Sequence, residues 1–87
     1  MTYNITFENE AVEDLAKLTS VNQSRIIKKI QWLGLNCNQV SHQTLSGNLS
    51  EFYKLRVGDY RIIYELDHEE NLVNILRIGH RREIYKD

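Results

Sequence analysis

The sequence predicts an α+β domain in the order β-α-α-β-β-β, one sheet packed on two helices. Three observations predict it. The opening stretch "TYNITF" alternates apolar and polar residues, two segments of helical period follow with almost no linker, and the second half holds three strand-like runs joined by tight polar turns. Grouped helices followed by hairpin-joined strands give an N-terminal strand, a helical hairpin and a three-stranded antiparallel meander.

In residues 2–7, Tyr3, Ile5 and Phe7 alternate with Thr2, Asn4 and Thr6, as in a half-buried strand. "NEAVEDLAKL" predicts a short helix over 9–18. Asn9 is placed to cap it, acids fill its first turn, and Ala11/Val12, Leu15 and Leu18 recur on one face. "SVNQSRIIKKIQWLGLNC" predicts a second helix. Ser20 and Gln23 form a capping-box pattern, Ile26/Ile27, Ile30 and Leu33 make the buried stripe, and Gly34 is placed to end it. Trp32 is a candidate for the core or for a partner contact.

"NQVSHQTLSGNLS" reads as a polar connecting loop, with one turn of structure around Leu45 and Leu49. Strands follow at 52–57 and 60–66, joined by Gly58-Asp59, which suits a two-residue hairpin turn with glycine first. After the polar turn "DHEEN", the apolar run from Leu72 to about Arg81 fits a strand buried on both sides, and so a central one. The first strand pairs elsewhere in the same sheet.

Eighty-seven residues make a single domain, 1–87, with a thin core. Hydrophobic content of 41% and charged content of 26% are ordinary for a soluble globular protein. The start "MTYNITFENE" has no signal-peptide pattern, and no apolar run approaches the roughly 20 residues that span a bilayer. A cytoplasmic protein without membrane association is expected. The single Cys37 excludes an internal disulfide and a cysteine-based zinc site, and reads as a small hydrophobe at a helix end. His42 and His68 fall in polar loops and read as solvated.

Formal net charge is −1 and the sequence pI about 6.3, which argues against broad nucleic-acid affinity. The charge is unevenly spread. Glu8, Glu10, Glu13 and Asp14 precede any Lys or Arg, whereas Arg77, Arg81, Arg82 and Lys86 crowd the last stretch. Strand periodicity constrains the remaining cations. In "FYKLRV", Leu55 and Val57 belong on the core side, which forces Lys54 and Arg56 onto the other face, and the tight turn brings Arg61 beside Arg56. Like charges this close repel, and an anion relieves the cost. Phosphate is the anion that arginine forks fit well. A solvated strand face, with Lys and Arg as protection against edge aggregation, accounts for the same pattern.

"YKLRVGDYRIIYEL" followed by "ILRIGHRREIYK" resembles the RelE/ParE superfamily of bacterial toxin–antitoxin systems, and more closely its RelE branch of mRNA-cleaving toxins. The resemblance covers nearly the whole chain. It implies a RelE-like fold and a ribosome-dependent endoribonuclease that cuts translated mRNA in the decoding site. In that chemistry a ribose 2′-OH attacks the neighbouring phosphodiester, with no metal and no other cofactor. It implies a catalytic set of Lys54, Arg56, Arg61, Arg81 and Tyr85, with Arg82 joining these in binding RNA. Lys54 is the candidate general base, Arg56 and Arg61 clamp the phosphate, Arg81 stabilises the leaving oxygen, and Tyr85 offers a face for a displaced base.

His80 stands where the family also uses lysine and is a further acid–base candidate, although along the strand it points opposite to Arg81. Arg56 stands at a position that can be lysine, which makes it a better clamp and a poorer base. Tyr53, Tyr60 and Tyr64 read as core or sheet-face aromatics. The resemblance also implies a cognate antitoxin, DNA-binding and partly disordered when free, that neutralises the toxin and carries it to operator DNA. The ribosome and mRNA are the targets. Alternatives within the superfamily are a ParE-like inhibitor of DNA gyrase and a non-catalytic remnant that only binds antitoxin.

Overall fold

The computed structural model of the chain describes residues 2–45, 52–80 and 82. The elements are β1 (Asn4–Phe7), α1 (Asn9–Ala16), α2 (Ser20–Leu35), a 3₁₀ turn (Cys37–Gln39), β2 (Gln43–Thr44), β3 (Tyr53–Val57), β4 (Tyr60–Asp67) and β5 (Leu72–His80). The expected order holds with one addition, β2, inside the stretch predicted as loop. Two residues are too few to show a period in sequence. The sheet therefore has five strands, in the order β1-β5-β4-β3-β2. β3, β4 and β5 form the antiparallel meander, and β1 pairs parallel to β5. β5 is interior, but the middle strand is β4, because β2 extends the far edge.

Both helices supply apolar residues to one face of the sheet. Ala11, Ile26, Ile30 and Leu33 pack with Ile62, Tyr64, Val73, Ile75 and Ile78, and Leu15, Leu55 and Val57 border them. Two adjacent apolar pairs in the helices resolve by rotation. Ala11 and Ile26 are fully buried, whereas Val12 and Ile27 turn outward. A small second cluster lies on the other face, where Leu45 and Ile63 are buried against Phe52 and Leu76. The expected turn around Leu45 is thus a core anchor; Leu49 lies outside the described residues.

The helix signals are displaced by one residue or more. Glu8 occupies the N-cap position of α1 and Asn9 is its first helical residue. α2 is capped by Thr19, whose hydroxyl accepts from Asn22 N–H at 3.3 Å, rather than by Ser20. Gln23 instead donates its amide to the Leu15 carbonyl at 2.9 Å and ties the two helices together. Gly34 does not end α2. It lets the helix approach β1: a Cβ there would lie 2.9 Å from the Tyr3 carbonyl oxygen, and Tyr3 N–H donates to the Gly34 carbonyl at 2.9 Å. Asn36 closes the helix by donating backbone and side-chain N–H to the Trp32 carbonyl. In the β3–β4 turn, Gly58 has φ +59°, which glycine adopts without strain.

Two histidines are held rather than solvated. His42 Nε2 donates to the Cys37 carbonyl at 2.9 Å, and its Nδ1 is hydrogen-bonded to the Tyr64 hydroxyl at 2.6 Å. Burial, reinforced by Cys37 and Tyr53, pushes the Tyr64 hydroxyl far above its usual range, so it remains a donor. Burial also raises the Cys37 thiol. His68 Nδ1 is hydrogen-bonded to the Tyr3 hydroxyl at 2.7 Å.

β1 runs out at Phe7, which pairs with Ile75, and leaves the rest of that β5 edge to α1. Asp14 fills the gap. It accepts from Ile78 N–H at 3.0 Å and from Arg77 Nε and Nη2 at 2.7 and 3.2 Å. Arg77 is thereby engaged by Asp14 of α1. Burial alone would raise the Asp14 carboxyl, but the Arg77 and Ile78 hydrogen bonds and the Arg77 charge outweigh it and hold it below 3.8. A depressed carboxyl stabilises the fold above its unfolded value and loses that contribution as pH falls through the folded value. Asp14→Asn is therefore expected to cost about 1 kcal/mol near neutral pH, given that Arg77 is 41% exposed. Denaturant midpoints measured from pH 7 down to about 3 should show the wild-type advantage shrinking below pH about 4. An advantage that does not shrink at all as pH falls below the unfolded carboxylate value would remove this role.

Candidate active site

The register of the meander fixes the cation face. Lys54 pairs with Ile63, and Arg56 pairs directly with Arg61. Cross-strand partners share a face, with Cβ atoms about 4.5–5.5 Å apart. Leu55 and Val57 pack toward the helices, so Lys54, Arg56 and Arg61 project from the opposite side. Gly79 on β5 pairs with Arg61 and adds no side chain there. Two arginines directly opposite each other on adjacent strands oppose folding, and Lys54 is two positions along the same face.

These three cations line one cleft together with Gln43, Leu55 and Tyr60. The cleft exists because β2 covers only Tyr53 and Lys54 of the β3 edge. From Leu55 onward that edge has no paired strand among the described residues. A second cleft along the same edge shares Gln43, Lys54, Leu55 and Arg56 and adds Lys29, from α2. Arg56 is exposed, whereas Lys54 and Arg61 are half-buried.

Of the residues expected from sequence, Lys54, Arg56 and Arg61 are brought together. Arg81 and Tyr85 lie outside the described residues. His80 pairs with Tyr60 across β4, on the helix side, and its ring lies 5.9 Å from that of Tyr60, edge to face. It therefore projects from the opposite face to the three cations. Its Nδ1 accepts the backbone N–H of Arg82 at 3.3 Å, and Arg82 is exposed. Tyr64 is buried, and Tyr53 packs on it with ring centroids 5.6 Å apart.

Three lining residues were not singled out from the sequence. Gln43 pairs with Lys54 through β2 and offers a neutral amide that can bind a phosphate oxygen or a base edge. Tyr60 was read only as packing. Lys29 belongs to α2, and nothing local in the sequence ties that helix to the hairpin. The signal available for Gln43 was a polar residue shortly before a basic strand, which is too common to be informative.

A preorganised cluster of two guanidinium groups and an ammonium on rigid strands is suited to a dianionic or transition-state phosphate. Arginine supplies planar forks and permanent charge, and lysine supplies a group able to accept a proton once deprotonated.

The sequence and fold are similar to those of known toxins. The sequence profile of the ParE toxin of type II toxin–antitoxin systems, parDE, matches residues 5–85. The chain is 30% identical over 90 residues to toxin RelG of Mycobacterium tuberculosis, covering 99% of each. Its fold is similar to that in the RelBE2 toxin–antitoxin complex of the same organism, with a TM-score of 0.84, 28% identity and 95% of each chain covered. It is also similar to the RelB–RelE complex of Methanococcus jannaschii, with a TM-score of 0.70, 26% identity and 93% and 95% of the two chains covered. The isolated RelE toxin of E. coli shares the fold at a TM-score of 0.74, with 24% identity over 90% of this chain and 83% of that one. The chain belongs to the RelE/ParE superfamily of type II toxin–antitoxin toxins, in its RelE-like branch.

Proposed function

We propose that this toxin is a metal-independent endoribonuclease that cuts translated mRNA on the ribosome. The observation that carries the reading is the Arg56–Arg61 cross-strand pair with Lys54 on the same face, all three lining one cleft. An opposed like-charge pair costs stability, and a bound phosphodiester offsets that cost.

In the proposed reaction Lys54, in its neutral form, takes the proton from a ribose 2′-OH. The 2′-oxygen attacks the adjacent phosphorus and forms the new P–O bond. The P–O5′ bond breaks, leaving a 2′,3′-cyclic phosphate, and the 5′-oxygen takes a proton from water to give a 5′-OH end. Arg56 and Arg61 hold the non-bridging oxygens, where negative charge builds up in the transition state. Arg81 stabilises the leaving oxygen and Tyr85 stacks a displaced base. Arginine remains charged at all working pH, so Arg81 acts by charge and hydrogen bonding rather than as a true acid. The ribosome aligns the substrate, which supplies the orientation that so simple a set of side chains does not provide alone.

Control falls to a cognate antitoxin, as the RelB–RelE complexes of relatives suggest. It binds the toxin by strand addition or helix-in-groove contacts and links it to operator DNA. The action takes place in the cytoplasm; among the described residues no helix is long and apolar enough to cross a membrane.

A second reading, inhibition of DNA gyrase, is favoured by the ParE description of the matching family profile. The two separate on brief expression in cells with pulse labelling. The nuclease reading expects amino-acid incorporation to collapse while thymidine incorporation continues. Early arrest of DNA synthesis with a DNA-damage response, and protein synthesis intact, would favour gyrase instead.

A further inference from the structure

The cationic surface does not stop at the cleft. α2 carries Arg25, Lys28 and Lys29 and no Asp or Glu along its length, in a chain of net charge −1. With Trp32, these residues are spaced i, i+3, i+4 and i+7, so all four share one helical face. All four line a single open groove that reaches Val57 at the edge of β3. Trp32 is 40% exposed, and Lys29 Nζ stands 4.0 Å from its ring centroid. Arg25 reaches over the β3–β4 turn, with Nη2 3.1 Å from where a Cβ on Gly58 would lie. Lys29 also lines the cleft that contains Lys54 and Arg56. The groove on α2 and the candidate active site are thus joined at the β3 edge.

We propose that this face binds the single-stranded RNA flanking the cleaved bond, with backbone phosphates on Arg25, Lys28 and Lys29 and a base stacked on Trp32. The inference rests on the nuclease reading and extends it from one phosphate to a track of several nucleotides. Like charges at i, i+3 and i+4 oppose the helix, and a polyanion turns that repulsion into binding. An exposed indole among cations matches how sequence-tolerant single-strand sites are built, from a basic groove and an aromatic stacking platform. Continuity with the cleft favours the substrate strand over an acidic protein segment. The acids Glu8, Glu10 and Glu13 lie at or within α1, so the track is expected to run over α2 and away from α1.

The test is fluorescence anisotropy of the full chain with a labelled RNA of roughly 12 nucleotides, 2′-O-methylated throughout so that it is not cut. Wild type is compared with Trp32→Leu and with Arg25→Glu/Lys28→Glu, each checked for fold by circular dichroism; all retain Lys54, Arg56 and Arg61. Trp32→Leu is expected to weaken binding about 5- to 10-fold. The double variant is expected to weaken it further and to flatten the dependence of log K on log salt by about 1 to 2 units. Unchanged affinity and salt slope in both variants, or no binding by wild type at low salt, would overturn the proposal. So would variants that keep RNA binding but lose capture by the co-expressed antitoxin, which would assign the face to the protein partner. The readout is independent of cleavage. If α2-dependent binding holds while mRNA in cells stays intact, the nuclease reading fails alone; if mRNA is cut but the variants bind normally, this inference fails alone.

Discussion

Arg61→Ala is expected to lower mRNA cleavage by about 10²- to 10³-fold while leaving the fold in place. Arg61 sits on β4, the middle strand of the sheet, so its backbone is held on both sides. Its neighbours across the strands are Arg56 and Gly79. A guanidinium so placed needs no reorganisation when charge develops on the phosphate, which is the condition under which an electrostatic contact contributes most to rate. Removing one member of an opposed cationic pair also relieves repulsion, which works in favour of the folded state. A circular-dichroism melt of the variant separates loss of activity from loss of fold. Arg61→Lys should recover part of the rate, since charge returns without the planar fork. Cleavage by Arg61→Ala at the wild-type rate would remove this residue from the site.

The second large effect concerns Lys54. If it is the general base, Lys54→Ala should cost about 10²- to 10⁴-fold in rate, and Lys54→Arg should be nearly as inactive. Arginine keeps the charge but does not give up its proton at working pH. The rise of rate with pH should disappear in both variants, and added small primary amines should restore part of it in Lys54→Ala. If Lys54 acts by charge alone, Lys54→Arg would instead retain most of the activity, and amines would do nothing specific. Single-turnover cleavage on programmed ribosomes across a pH series distinguishes these outcomes.

Much of this site is local in sequence, and that explains why it was legible. Lys54, Arg56 and Arg61 lie within eight positions. Their faces follow from strand alternation, and a two-residue turn with glycine first sets the register that opposes Arg56 to Arg61. The reading of the nuclease itself came from resemblance, because a basic strand face by itself is equally consistent with solvation. His80 pairs with Tyr60 on the helix side of the sheet, whereas Arg81 lies outside the described residues.

What was not legible depends on contacts distant in sequence. Arg77 looked like part of the basic cluster, but Asp14, 63 residues away, takes it. That contact exists because β1 is short and α1 occupies the vacated edge of β5, which no local pattern encodes. The type of Gly34 alone suggests a helix end, whereas its reason is the close approach of the Tyr3 carbonyl, just before β1. His42 was read as solvated from its polar surroundings, yet it bridges Cys37 and Tyr64. β2 escaped notice because two residues carry no period, although this strand sets where the β3 edge opens and so where the cleft lies.

On the proposed reading, the hairpin cations grip and help break an RNA phosphodiester. Primer extension on mRNA from cells briefly expressing the chain, with Lys54→Ala and Arg61→Ala alongside, tests it most directly. Discrete stops within translated codons, bearing 5′-OH ends and lost in both variants, are the predicted result. Intact mRNA in cells whose growth the wild-type protein has arrested would contradict it.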